Sequence, residues 1–208
     1  MIITEEHIEE YDSQYDGFST LLKAEEPMWR NMAVELQELH YLKGARFVNQ
    51  LKLIVCYGEF HPVEGESDIF SALGEQSPDY DNLLHAARKA VEHGYRVYIL
   101  PNPKGIRTAD FIFVRKGVYK MFDLKTISGQ NSVDNRLSES IGQSNRILLH
   151  MTVDYISSAL ARSIKRFFEF NLEAREVLIF KGKKHLSITR KSLEDSHFYQ
   201  TFMKRYNK

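Results

Sequence analysis

The sequence predicts an α/β (α+β) fold: a single mainly antiparallel or mixed sheet flanked by helices and preceded by a helical N-terminal region. Three observations carry this. From residue 79 onward, β-rich alternating runs and amphipathic runs follow one another in the order α-β-β-β-α-β-α-β-β-α, the pattern of one sheet covered by helices. Before that, apolar residues recur mainly at helical spacing. The 208 residues are 43% hydrophobic and 27% charged, which supplies one sizeable core and leaves room for a smaller second unit, since a domain takes ~100–200 residues.

Taken in order, Pro27 suits a first helical turn, and Met28, Met32, Leu36 and Leu39 follow at helical spacing up to Gly44. Residues 52–57 fit either a continued helix or a strand. The stretch 58–81 holds three Gly, two Pro, seven acidic residues and no Lys or Arg. It is therefore expected to be a loop or domain boundary, with a short helical turn near 68–73. This divides the chain into an acidic, mainly helical region, 1–75, and a basic domain, 76–208. Ser77-Pro78-Asp79 starts a helix that carries Leu83, Leu84, Ala87 and Val91 and stops at Gly94. Strands are expected at 95–100, 109–114 and 119–126, the last two joined around Arg115-Lys116-Gly117. A helix at 132–145 places Val133, Leu137 and Ile141 on one face. A strand at 147–153, an amphipathic helix at 157–170, a hairpin at 176–189 and an aromatic-rich helix at 193–206 complete the chain.

Composition excludes several classes. No apolar run approaches the ~18 residues of a membrane span. The N-terminal residues lack the basic and apolar regions of a signal peptide, so a soluble, cytoplasmic protein without a membrane partner is expected. Cys56 is the one cysteine, which rules out an intrachain disulfide and a cysteine-based metal cage. The formal net charge is zero, yet residues 1–100 carry 8 Lys/Arg against 18 Asp/Glu, and residues 101–208 carry 20 against 10. A split from −10 to +10 suggests a basic working half able to hold a polyanion.

The chemistry concentrates in Ala109-Asp110-Phe111-Ile112-Phe113-Val114 and Met121-Phe122-Asp123-Leu124-Lys125-Thr126. Alternation puts Asp123 and Lys125 on one face of a strand. With Lys116-Gly117 as a two-residue turn, Asp110 lies across from Asp123 with Cβ atoms about 5 Å apart. Two carboxylates that close require a cation between them or a shared proton; Lys125 or a divalent metal fills that need. A three-residue bulged loop would shift this pairing by one. Among the eight histidines, His150 is the best placed to act as a base, since it follows the Asp-x-Lys strand and helix. His185, beside Lys181, Lys183 and Lys184, suits phosphate contact. The helix run Arg162, Lys165 and Arg166 fits phosphate binding as well as a solvated face. Helical geometry, at 100° per residue, places Gln143 on the flank of its helix and Asn135 toward solvent.

An Asp…Asp-x-Lys arrangement on a hairpin followed by a helix resembles PD-(D/E)XK nucleases, in which carboxylates hold Mg²⁺ and the lysine assists water attack. A wider set of residues resembles another family. Asp123-Leu124-Lys125-Thr126, Asn135-Arg136-Leu137, Gly142-Gln143-Ser144-Asn145-Arg146 and the Glu176–Phe180 strand with its Gly182 turn are together similar to the C-terminal tRNA-nuclease domains of contact-dependent growth inhibition toxins, of the CdiA type. Those belong to the barnase/colicin/RelE-like superfamily of metal-independent ribonucleases. The similarity covers about residues 80–190. It departs at Ala109, where the family has Pro, and at Lys125, where Asp-x-Tyr is common.

This second resemblance implies an endoribonuclease that cleaves RNA, tRNA in particular, without a cofactor, and an acidic inhibitor or immunity protein as a partner. Carried over residue by residue, it points to Asp110, Asp123, Asn135 and Gln143, with Lys125 and Thr126 at positions that this chain changes. Joined with the reading of the residues themselves, the expected catalytic set is Asp110, Asp123, Lys125, Gln143 and His150, and the expected substrate-binding set is Thr126, Asn135, Arg146, Arg162, Lys165, Arg166 and His185. Two alternatives stand beside it. One is a metal-dependent PD-(D/E)XK nuclease using Asp110, Asp123 and Lys125 with Mg²⁺. The other is a non-catalytic binding or regulatory protein, immunity-like or a mobile-element accessory.

Overall fold

The computed structural model describes residues 60–72, 78–100, 109–129 and 132–208. The expected N-terminal helices lie outside them. The chain forms two compact units, Met1–Met121 and Phe122–Lys208, and the strands are ordered along the chain from β1 to β8.

In the first unit, β1 (Phe60–Pro62) runs antiparallel to β2 (Ile69–Ala72), with His61 opposite Ser71. Helix α1 (Tyr80–Glu92) then crosses to β3 (Arg96–Ile99), which is parallel to β2 with Ile69 opposite Val97. Strand β4 (Phe111–Arg115) returns antiparallel to β3. Leu83, Ala86, Ala87 and Ala90 give α1 one small, buried face, spaced at one helical turn. Ile69, Val97, Ile99, Phe111 and Phe113 are buried in the strands.

Residues 60–72 correct the expected loop and helical turn. Gly, Pro and acidic density reads locally as coil, but Ile69-Phe70-Ser71 pairs on one side with β1 and on the other with the parallel neighbour β3. That neighbour arrives more than 20 residues later, and no local pattern shows it. After β4, Lys116 and Gly117 have φ of 51° and 74°. Positive φ at both central residues is the two-residue turn that matches strand twist, as the sequence predicts.

Strand β5 (Val118–Ile127) leads into the second unit. There, helix α2 (Val133–Glu139) and helix α3 (Ser157–Phe170) connect β5 to β6 (Arg146–Met151) and β6 to β7 (Glu176–Lys181). The three strands are parallel, and β8 (Lys184–Thr189) closes as an antiparallel hairpin on β7. The short α4 (Arg190–Leu193) and then α5 (Phe198–Asn207) finish the chain. Asp123, Ile147, Val177 and Ile188 form one cross-strand row, and Lys125, Leu149, Ile179 and Leu186 the next. Apart from the two charged residues, these side chains belong to one core with Leu137, Leu160, Ile164, Phe168, Phe202 and Tyr206. That face of the sheet therefore packs against α2, α3 and α5. Strands β6 and β7 are buried along nearly their whole length, the near-continuous apolar run of a parallel strand covered on both faces.

Helix α3 has the bounds expected from sequence. Helix α2 does not: it ends at Glu139, a turn follows, and Ile141 is 50% exposed rather than buried. Gly142, with φ of 78°, takes a left-handed conformation open mainly to glycine, and the chain leaves the helix there.

Candidate functional site

Strand β5 places Asp123 and Lys125 two residues apart and so on one face. Their cross-strand partners, Ile147 and Leu149, make it the helix-covered face. Asp123 is 1% exposed, and Lys125 Nζ stands 2.8 Å from Asp123 Oδ2. The Lys125 side chain is 12% exposed, so the ammonium is the member of the pair that reaches the surface. Removing two charges from water is costly unless they meet at this distance, and the contact is an ion pair whose Oδ2 is not met at hydrogen-bond angle. Chemically the pair offers an ionised carboxylate as proton acceptor and a fixed cation that can stabilise negative charge.

Asp110 lies just before β4, half-buried, in the first unit. Thr126 and His150 do not join the Asp123–Lys125 pair. Thr126 is opposite His150, His150 opposite Phe180, and Phe180 opposite His185. The four form a row on the other face of the sheet. His150 is 4% exposed there, and the His185 ring lies 5.9 Å from that of Phe180. The expected grouping of Asp123, Lys125 and His150 as one catalytic set is thus divided by strand alternation. The parallel register that decides this is a long-range property.

Arg146 is tied into the protein. Its Nε is 3.4 Å from Glu176 Oε2, its Nη1 donates to Asn145 Oδ1 at 3.2 Å, and Ser187 Oγ donates to Glu176 Oε1 at 2.5 Å. Gln143 closes the turn after α2: its Nε2 donates to the Glu139 carbonyl at 2.6 Å. Asn135 is solvent-exposed on α2. On α3, Arg162 and Arg166 are exposed, with Arg166 3.8 Å from Asp134, and Lys165 lies 5.6 Å from the centre of the Tyr199 ring. Among the described residues, no three His, Cys, Asp or Glu side chains group to hold a metal ion. No helix among them is long and apolar enough to cross a membrane.

A second charged cluster takes in Lys181 and Lys184, named from sequence only as neighbours of His185, with Asp154 and Tyr206, which were not singled out. Lys181, at the end of β7, places Nζ 2.8 Å from Asp154 Oδ1 and 4.1 Å from the Tyr206 ring centre, while Lys184 Nζ donates to the Tyr206 carbonyl at 2.9 Å. The hydrogen bond from Lys181 holds the Asp154 carboxyl below its usual range, and burial pushes the Tyr206 phenol up. These residues gather where parallel strands end, the side of α/β sheets that carries ligands. The available signal was Asp154 just after a strand, with Lys181 at the end of the next.

Among the described residues of this unit, a cavity of about 300 Å³ is lined from β8, α4 and α5, and another of about 180 Å³ lies between α2 and α3. Neither is lined by Asp123 or Lys125. No family model matches the chain, and no curated protein matches it. Among solved structures it is similar, at 15% identity and a TM-score of 0.42, to a chain of a CdiA-CT/CdiI toxin and immunity complex from Burkholderia pseudomallei, with 59% of this chain and 99% of that one covered.

Proposed function

We propose that the chain is an endoribonuclease that uses Asp123 and Lys125 at the phosphodiester, with tRNA as the substrate that the sequence resemblance suggests. The observation that supports this is the 2.8 Å Asp123–Lys125 pair on the second strand of a two-residue hairpin, followed by a helix and a parallel strand. RNA cleavage requires a base for the 2′-hydroxyl proton and stabilisation of charge on the phosphate. Asp123, ionised beside the ammonium, takes the first role, and Lys125 takes the second. His150, on the opposite face, is left out of this arrangement.

A metal-dependent form of the same reading is supported by that separation, because it needs no histidine. Asp123 supplies the hard oxygen that suits Mg²⁺, which commonly takes one or two carboxylates together with substrate phosphates. When bound, the ion supplies Lewis-acid stabilisation and a more acidic water, and Lys125 steadies the developing charge.

Total tRNA and duplex DNA, each incubated with the purified chain in Mg²⁺ or in EDTA, test the proposal. Cleavage of RNA is expected. Loss in EDTA selects the metal-dependent form, and RNA left intact under both conditions overturns the nuclease reading. A non-catalytic binding protein is the second reading, supported by the 1% exposure of Asp123; RNA bound but uncut is its outcome.

A further inference from the structure

We infer that the cavity between β8, α4 and α5 is a nucleotide-binding subsite that takes one base and its phosphate. Its volume, about 300 Å³, lies at the lower end of the ~300–1,000 Å³ of small-ligand pockets. The floor is apolar and partly aromatic: Leu186, Ile188, Phe198 and Phe202 are all at most 5% exposed. Because both rings are already packed in the core, a planar base gains burial against their edges rather than a ring-on-ring stack.

The wall is polar in a way that a purely apolar ligand would leave unused. Thr201 presents a hydroxyl, Ser192 a hydroxyl that already accepts from the Thr189 backbone N–H at 3.1 Å, and Asp195 a carboxylate that already accepts from the His197 backbone N–H at 2.9 Å. These suit the donor and acceptor edges of a base. At the mouth stand two exposed cations, Lys191 and Arg205. Neither is engaged in an ion pair among the described residues. Two such cations over an apolar floor fit a ligand that joins a phosphate to a ring. Ile188 shares its cross-strand row with Asp123, so the subsite lies on the same sheet face, three strand spacings or about 14 Å along it.

One ligand chemistry has two sources, a free nucleoside monophosphate and an unstacked nucleotide of single-stranded RNA; only the second rests on the nuclease reading. The test is titration of the full chain with AMP, GMP, CMP and UMP, and separately with inorganic phosphate, followed by NMR of the Phe198 and Phe202 rings and the Thr201 amide. At least one nucleotide is expected to bind and shift those signals. Arg205→Ala and Lys191→Ala, exposed substitutions that leave the fold intact, are each expected to weaken it about tenfold. Displacement by a short single-stranded oligoribonucleotide assigns the site to RNA, and failure to displace assigns it to free nucleotides; both support a nucleotide site. Inorganic phosphate binding as tightly as every nucleotide, no binding at all, or binding unaffected in both variants overturns the inference. Nucleotide binding without RNA cleavage keeps the subsite and removes the nuclease reading. Cleavage without nucleotide binding does the reverse.

Discussion

At the residue scale, Lys125 holds a carboxylate that is 1% exposed. Lys125→Met leaves that charge without its ammonium, and breaking a buried pair from one side costs roughly 3–5 kcal/mol. Urea unfolding is expected to show this loss, with much of it recovered in the Asp123→Leu, Lys125→Leu double variant, since an apolar pair of similar volume is often as stable. A loss below ~1 kcal/mol in the single variant would mark the pair as behaving like a solvent-exposed one. The shared face of Asp123 and Lys125 was legible in sequence because alternation is local. That this face is the helix-covered one, and that His150 lies on the other, was not, because both depend on the parallel register of β5 with β6. Gln143 was expected on the flank of a helix running to 145, but the helix ends at Glu139 and Gln143 lies in the turn after it, where its partner is the Glu139 carbonyl.

At the element scale, α3 and the β7–β8 hairpin were legible because amphipathic period and turn chemistry agree over their whole length. Strand β2 was not, because one of its two partners, the parallel β3, comes from far along the chain. The end of α5 is fastened to β7 by Lys181 over the Tyr206 ring, and this sets a dependence on alkaline pH. Burial raises the folded-state pKa of Tyr206 above its ordinary value, and that of Tyr155 likewise. The unfolded chain therefore loses these protons first, and stability falls as pH rises past about 10. Thermal melts between pH 8 and 11 are expected to show that decline, with Tyr206→Phe reducing its slope; an unchanged slope would place the effect elsewhere. Conversely, Phe170 is 81% exposed, so Phe170→Ser is expected to change stability by no more than about 0.5 kcal/mol, which denaturant titration measures.

At the scale of the whole molecule, the sequence revealed a single sheet flanked by helices, left open between mainly antiparallel and mixed, the order of its elements from residue 79, and the concentration of positive charge in residues 101–208. Counterion release makes RNA affinity fall linearly in log–log with salt, by an amount set by the number of phosphates contacted. The full chain, although neutral overall, is expected to lose RNA binding steeply between 50 and 200 mM salt; a flat profile would mean that the basic half does not hold phosphates. The most direct measurement of the central claim is cleavage of total tRNA by the wild-type chain and by Lys125→Ala, in Mg²⁺ and in EDTA, with circular dichroism reporting the fold of both. The account predicts cleaved tRNA with the wild type and a loss of about a hundredfold or more in a folded Lys125→Ala. Equal cleavage by the folded variant, or intact tRNA with the wild type in both buffers, would contradict it.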